Sequence, residues 1–518
     1  MNSQEILKFC MNNGLLVDKE ILNLFSETND VESVKFFLEK VKQKTNQKII
    51  TKEVFKEKNL DVDELFLNFP EEKKKNLESL KIKLGLTLEI SKEVQEISGK
   101  AQESFQHEKV RVTSMSPCLS KKLEVKDFVR YFKSRLSKIS GFLQQRQELK
   151  NPVSINKISG NKQGMSIIGI VSDKRVTKNK NVIFEIEDLT GKIKVLINQN
   201  KKELLEKAEE VALDSVIGIN GSGSREIIFA NDIIFPDSSL PERKKSFNEE
   251  YALFIGDLHI GSKKFMKKNF LKFIDYLNGK APNTPEVEKI KYLFIVGDLI
   301  AGVGVYPNQE FELEIKDLEE QYSYTAELLS KIRNDIKIIL CPGNHDGVRI
   351  MEPQPVLDEK YAWPLYNLKN VLLVGNPVAV KMGVNQNFSG FDVLMYHGFC
   401  FPYYANNTPS LIKKNAMNCP EEIMKYLLKN RHLAPTHSSN QYYPAEEDGL
   451  LIDSVPDIFV SAHTHKTGIS YYNNILVISV SCWEEMTPYQ EKFGNIPDHC
   501  KVPMFNLKTR AIKVLDFE

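Results

Sequence analysis

Five short polar pieces in the second half of the chain constrain its fold more than any other feature. They are Gly256-Asp257-Leu258-His259, Gly297-Asp298, Gly343-Asn344-His345-Asp346, Tyr396-His397-Gly398 and His463-Thr464-His465. The first three each follow an apolar run, at 251–255, 292–296 and 336–340. Such runs, bounded by glycine, read as buried strands. The polar pieces then fall where strands give way to loops, which is where open α/β sheets place their sites.

Residue type and spacing indicate the chemistry. Asp257 and His259 are two apart, and in extended chain such residues project to one side. His463 and His465 repeat the device. A carboxylate has two oxygens, so Asp298 suits a bridge between two cations. Asn344 adds a neutral carbonyl oxygen and His397 one more imidazole. The set Asp257, His259, Asp298, Asn344, His397, His463 and His465 mixes oxygen and nitrogen donors with no thiolate. That favours Mn, Fe or Zn over Ca or an iron–sulfur cluster. The donors suffice for two metals sharing Asp298, and two-metal sites of this kind usually hydrolyse at phosphorus. A single Asp-x-His pair is most often solvated surface. Here five of the nine histidines fall in these pieces, in order.

Taken as an ordered set, the pieces resemble the motifs of the calcineurin-like metallophosphoesterases, over about the last half of the chain. Further stretches narrow the resemblance: Gly302-Val303-Gly304-Val305-Tyr306-Pro307, Glu352-Pro353-Gln354-Pro355, Arg431-His432-Leu433-Ala434-Pro435 and Val455-Pro456-Asp457. They are similar to the small subunits of archaeal family D DNA polymerases. That resemblance implies a proofreading 3′–5′ exonuclease with two divalent ions, Mn2+ first and Fe, Zn or Mg as alternatives. It implies a heterodimer with a large catalytic polymerase subunit, contact with DNA, and a sliding clamp reached through the complex. It also implies that Asp257, His259, Asp298 and His465 hold one metal. Asp298, Asn344, His397 and His463 hold the other. His345 lies beside a ligand without being one; it would stand at the scissile phosphate as a catalytic group. Two departures stand out. Ile300-Ala301 occupies a place where many members carry an acidic residue, Tyr or His, and Ala462 precedes His463 where glycine is common.

The rest of the chain fits a multidomain protein: 518 residues exceed one ordinary domain. Residues 1–95 carry apolar residues at roughly helical spacing and read as a small helical domain; the polymerase resemblance implies that it is an interaction domain. Residues 96–150 read as a polar linker followed by an amphipathic helix with Val125, Phe128, Val129, Phe132, Leu136, Ile139 and Leu143 on its apolar face. Arg130, Lys133, Arg135 and Lys138 on the same helix form either a basic face or a solvated one. Residues 151–240 contain five apolar, β-branched stretches with a helical stretch at 203–210 between the third and fourth, the order of an OB-fold barrel. Its scarcity of exposed aromatics favours docking to a protein over binding a single strand. Residues 241–518 alternate strands and helices, including helices expected at 265–278 and 310–332. An α/β sandwich of two sheets is what the superfamily resemblance implies here.

Several functions are excluded or left unsupported. No apolar run approaches about 18 residues, so no membrane span is expected. Met1-Asn2-Ser3-Gln4-Glu5 lacks a signal-peptide pattern. Seven cysteines without a CxxC pair point to reduced thiols in a cytoplasm. No GxxxxGK[ST] phosphate cradle occurs. The net charge of +1 is silent on nucleic acid. Lys263, Lys264, Lys267 and Lys268 follow the first motif and are candidates for contact with a DNA backbone. Two other readings compete: a phosphatase or phosphodiesterase for small substrates, and a non-catalytic scaffold subunit. The auxiliary domains argue against the first, and the retained donors against the second.

Overall fold

The computed structural model describes residues 2–18, 34, 35, 38, 49, 50, 110–115, 122–160 and 162–518. The chain divides into two units, Met1–His107 and Glu108–Glu518. In the first, the described part includes a helix, Asn2–Asn12, and two short parallel strands, Leu16–Val17 and Ile49–Ile50. Most of the helical domain expected at 1–95 lies outside the described residues, as does Cys118. The other six cysteines are free. No described helix is long and apolar enough to cross a membrane.

The second unit contains two six-stranded sheets and a closed five-stranded barrel. In the first sheet, Tyr251–Ile255, Ile290–Val296, Lys337–Cys341 and Val371–Leu373 run parallel. The antiparallel pair Lys501–Asn506 and Ile512–Asp516 completes it beside Tyr251–Ile255. These parallel strands read as continuous apolar runs because both faces are covered. Leu253, Ile255, Leu293, Ile295, Ile338 and Leu340 pack in one core cluster with the helices Lys267–Leu277 and Leu318–Ser330. Phe254, Phe294 and Ile339, which alternate with them, are equally buried.

The second sheet has Phe391–Met395, Ile458–Ser461 and Ile475–Ser479 parallel at its centre. Gly468–Tyr472 and Val378–Met382 flank them. Its last strand is Val110–Met115, antiparallel to Val378–Met382. Residues 110–115 sit inside the stretch expected to be a linker; they are instead a sheet edge. The α/β reading of 241–518 holds, with that edge strand contributed from before the barrel.

The barrel strands are Lys162–Val176, Val182–Asp188, Gly191–Ile197, Val216–Gly223 and Ile227–Ile234. The helix Lys202–Glu210 lies between the third and fourth. The third and fifth strands pair in parallel, and the first and fourth close the ring. Val171, Phe184, Ile186, Val195, Ile197 and Ile217 fill the interior.

The helix Val125–Gln144 joins barrel and sandwich. Leu136, Ile139 and Leu143 pack on the barrel residues Ile168, Val216 and Ile234. Tyr131 packs instead among sandwich residues such as Tyr396, Phe401 and Leu427. Val125 and Val129, expected on the apolar face, are exposed. The expected basic or solvated face fails at Arg135, which is 1% exposed. Its Nε donates to Asp448 at 2.7 Å, and its Nη1 donates to the Asp214 carbonyl. Arg130 and Lys138 pair with Glu446 and with Glu447 and Asp453. His432 closes the buried group, its Nε2 at 2.8 Å from Asp448. Burial works against the Asp448 charge, but His432 and Arg135 outweigh it and hold the carboxyl well below its usual range.

Candidate metal centre

The polar pieces follow the C-terminal ends of parallel strands in both sheets, and their side chains converge. Three groups of donor atoms each lie within 4.8 Å: Asp257, His259 and His465; His259, Asp298 and His345; Asp298, His397 and His463. Asn344 joins them through its Oδ1, 3.0 Å from His397 Nε2. Asp298 is central. Its Oδ2 lies 3.4 Å from His397 Nε2 and 3.9 Å from both His259 Nε2 and His345 Nε2. Its Oδ1 accepts the His345 N–H at 2.8 Å.

The convergence does not come from extended chain. Asp257, His259, Asp298, His463 and His465 all have left-handed backbone, with φ of 49°, 48°, 47°, 70° and 57°. The period-two argument for Asp257 and His259 therefore fails, although the side chains meet. Left-handed backbone at a residue with a Cβ costs of order 1–3 kcal/mol, and such strain collects at functional sites. Glycine does the rest by absence: a Cβ on Gly343 would meet Asp298 Oδ1 at 2.3 Å, and one on Gly297 would meet His397 Nδ1 at 2.3 Å. The Ala462 methyl is accommodated because Gly256, which faces it, has no side chain.

The donor set fits cations. Asp257 Oδ1 is buried without a hydrogen-bond partner. Burial drives this carboxyl well above its usual pKa, as expected of an acid whose counter-charge is a metal. Burial first, then neighbouring imidazoles, pushes His259 well down; burial and the same crowding take His463 and His465 down to about 3. All three are neutral at pH 7, the form that donates a lone pair to a metal. His259 Nε2 and His465 Nε2 face each other at 3.2 Å, so they share one proton or both point at a third group. His397 is pushed up to about 10, because Asp298 overrides the effect of burial. A cation on Asp298 would take the place of that proton.

His345 is held differently. Its Nδ1 donates to the Ala301 carbonyl at 2.8 Å, which turns Nε2 toward Asp298. The departure at Ala301 is thus harmless to this contact, since a backbone oxygen makes it. Asp346 accepts from Leu299 N, Ile300 N and Gly343 N, and clips the two motif loops together. Of the lysines, Lys263 donates to the Phe311 carbonyl, Lys264 pairs with Glu485, and Lys267 lies over the Tyr324 ring. Lys268 is exposed.

Supporting residues were not all visible in the sequence. Asn376 accepts the His397 N–H through Oδ1 and donates to Gln354. Gln354 in turn donates to the Gly343 carbonyl. Gln354 lies in the quoted stretch 352–355, so its motif was a signal without an assignable role. Asn376 carried no signal beyond the proline after it. Gln490 Nε2 lies 2.8 Å from His465 Nδ1. That donation puts the ring proton on Nε2, so ligation through Nε2 needs the amide turned the other way.

The two-sheet sandwich with these donors at one end is a metallophosphoesterase domain. The calcineurin-like phosphoesterase family matches residues 252–467. The chain is 36% identical over 399 residues to the DNA polymerase II small subunit of Methanothermobacter thermautotrophicus, covering 76% of this chain and 80% of that one. It is 34% identical over 468 residues to the subunit of the same name from Pyrococcus horikoshii, covering 87% and 73%. The corresponding Pyrococcus furiosus protein is 37% identical, with 76% and 64% covered. The chain belongs to the DNA polymerase II small subunit family.

Proposed function

We propose that this chain is the proofreading subunit of its polymerase, a two-metal 3′–5′ exonuclease that removes nucleotides from DNA 3′ ends. The observation that carries the reading is Asp298, whose Oδ2 stands between His259 Nε2 at 3.9 Å and His397 Nε2 at 3.4 Å, one donor from each proposed metal set. Asp257, His259, Asp298 and His465 hold one divalent ion, and Asp298, Asn344, His397 and His463 the other, with Mn2+ the favoured metal. The ions would supply an activated water and neutralise charge growing on the phosphate. His345 does the protein's share of proton work. Its Nδ1 proton is committed to Ala301, so Nε2 is the atom that meets the phosphate or protonates the leaving oxygen. The buried Asp346 clip keeps both loops fixed while this happens.

In the same reading 1–95 is an interaction domain, 96–150 a connecting segment with the long helix, 151–240 an OB-fold, and 241–518 the exonuclease domain. The strand order of the barrel and its single helix between strands three and four support the OB-fold. Its docking role fits the exposure of Phe229 as an isolated barrel aromatic among the described residues. The complex works in the cytoplasm on DNA, and meets a sliding clamp through the large subunit.

The deciding experiment is Asp298→Asn. Removing the shared charge costs several kcal/mol of transition-state stabilisation, a loss of roughly 1,000-fold or more in release of nucleotides from a mismatched 3′ end. Metal analysis should find a shortfall. Full activity with both metals bound would overturn the shared-ligand assignment. Turnover of phosphomonoesters by the unaltered chain, with DNA untouched, would overturn the exonuclease reading.

A further inference from the structure

Helix was expected over 310–332, but the helix begins only at Leu318, where the Asp317 side chain caps it by accepting from Glu320 N. The residues before it form a loop, 302–314, that is built against the metal centre. Gly302 sits so close to His345 that a Cβ there would meet the His345 carbonyl at 2.3 Å. Two buried glutamines hold the loop. Gln321 accepts from Gly302 N at 2.9 Å. Gln309 accepts from Val305 N and donates to the Ala301 carbonyl, the same oxygen that orients His345. Lys263 N donates to the Glu312 carbonyl, and Lys263 Nζ to that of Phe311. A loop fixed at this many points presents its side chains as a rigid surface.

Tyr306 is what it presents beside the site. Its ring stands edge-on to His345, 6.3 Å between centroids at 63°. It is 36% exposed, and its hydroxyl donates to Glu312 at 2.8 Å, which fixes the ring plane. The loop also carries Glu310 and Glu314. The Glu312 carboxylate held on the Tyr306 hydroxyl repels a phosphate backbone but leaves an uncharged base free to stack on the ring. A duplex brings two backbones toward such a rim, and a frayed end brings one.

We propose that Tyr306 is a base-stacking residue that seats the 3′-terminal nucleobase while His345 and the metal donors take its phosphate. This inference rests on the exonuclease reading. Stacking of a base on an aromatic side chain is worth about 1–3 kcal/mol, or roughly 5–150-fold. The binding is tolerant of sequence, because every base has a π-face.

The test uses the full chain loaded with Mn2+ and two oligonucleotides that differ only at the 3′ residue, one normal and one abasic. The unaltered chain should favour the normal terminus by roughly 5–150-fold in kcat/KM. Tyr306→Leu should bring the two substrates to near parity, mainly by slowing the normal one. Tyr306→Phe keeps the ring and should keep the preference, which a merely structural role for the hydroxyl would not allow. A preference that survives Tyr306→Leu, or is lost equally in Tyr306→Phe, overturns the stacking role. Equal cleavage of both termini by the unaltered chain overturns it while leaving the exonuclease reading intact. Failure of that chain to cleave either oligonucleotide overturns both.

Discussion

The barrel and the metal-bearing end of the sandwich obey different rules. Inside the barrel the cluster is apolar, from Val171 to Phe235, and its ion pairs, such as Lys207 with Asp232 and Lys192 with Glu187, lie at the surface. Its left-handed residues, Lys180 and Asp214, are in turns. At the metal centre the arrangement is inverted. Asp257, His259, Asp298, Asp346, His397 and His465 are buried, and four of these six carry left-handed backbone. The barrel interior is packed for stability. The metal centre spends stability on geometry, and it can do so because apolar strands on both sheets hold its loops.

The comparison can be broken first at the joint. Asp448→Ala leaves the buried Arg135 charge without its anionic partner and should cost about 3–5 kcal/mol. Denaturant unfolding should show the loss, while activity per folded molecule stays the same. A stability change below about 1 kcal/mol would mean that the buried group does not hold barrel and sandwich together.

The buried acid Glu352 sharpens the comparison through pH. Its Oε2 accepts from Tyr396, Oε1 has no partner, and burial pushes its pKa from 4.5 up to about 7. A carboxyl raised on folding stabilises below its unfolded value, and that contribution is lost as pH rises through the folded value. The loss between pH 4.5 and 7 is on the order of 3 kcal/mol. Glu352→Gln should therefore flatten the fall in stability across this window, relative to the unaltered chain. Parallel pH–stability curves would sink the assignment.

Smaller again is His345→Ala, which should keep the fold and both metals yet slow hydrolysis about 100-fold. Metal content that falls in step with activity would make His345 a ligand. Smallest is Ile186→Val in the barrel core, expected to cost about 0.5–1.5 kcal/mol by unfolding. Because the barrel contributes no donor, metal content and hydrolysis should be unchanged. A drop in either would show that the two regions are not independent.

What was legible in the sequence follows from locality. The runs at 251–255 and 292–296 announce their own burial, and the motif after each is fixed by the strand before it. Val110–Met115 did not announce itself, because a polar, solvent-facing edge strand is defined only by a remote partner. The start of the helix at Leu318 was overridden by Gln309 and Gln321, which bond loop backbone from a distance. Arg135 looked like surface because Asp448, which makes its burial tolerable, comes from another element. The left-handed backbone at Asp257 and His259 left no local mark, since neither residue type requires it.

The edge strand Val110–Met115 also sets a timetable. Thr113 donates to the carbonyl of Ala379, 266 positions later. During synthesis at about 5–20 residues per second, the first strand leaves the ribosome roughly 13–50 s before its partner exists. The barrel, whose strands are close in sequence, can close in that interval. The sandwich cannot complete its second sheet until the chain returns. Through that wait an unpaired strand is open to pairing with another nascent chain, and the charge of Arg111 is a simple guard against it.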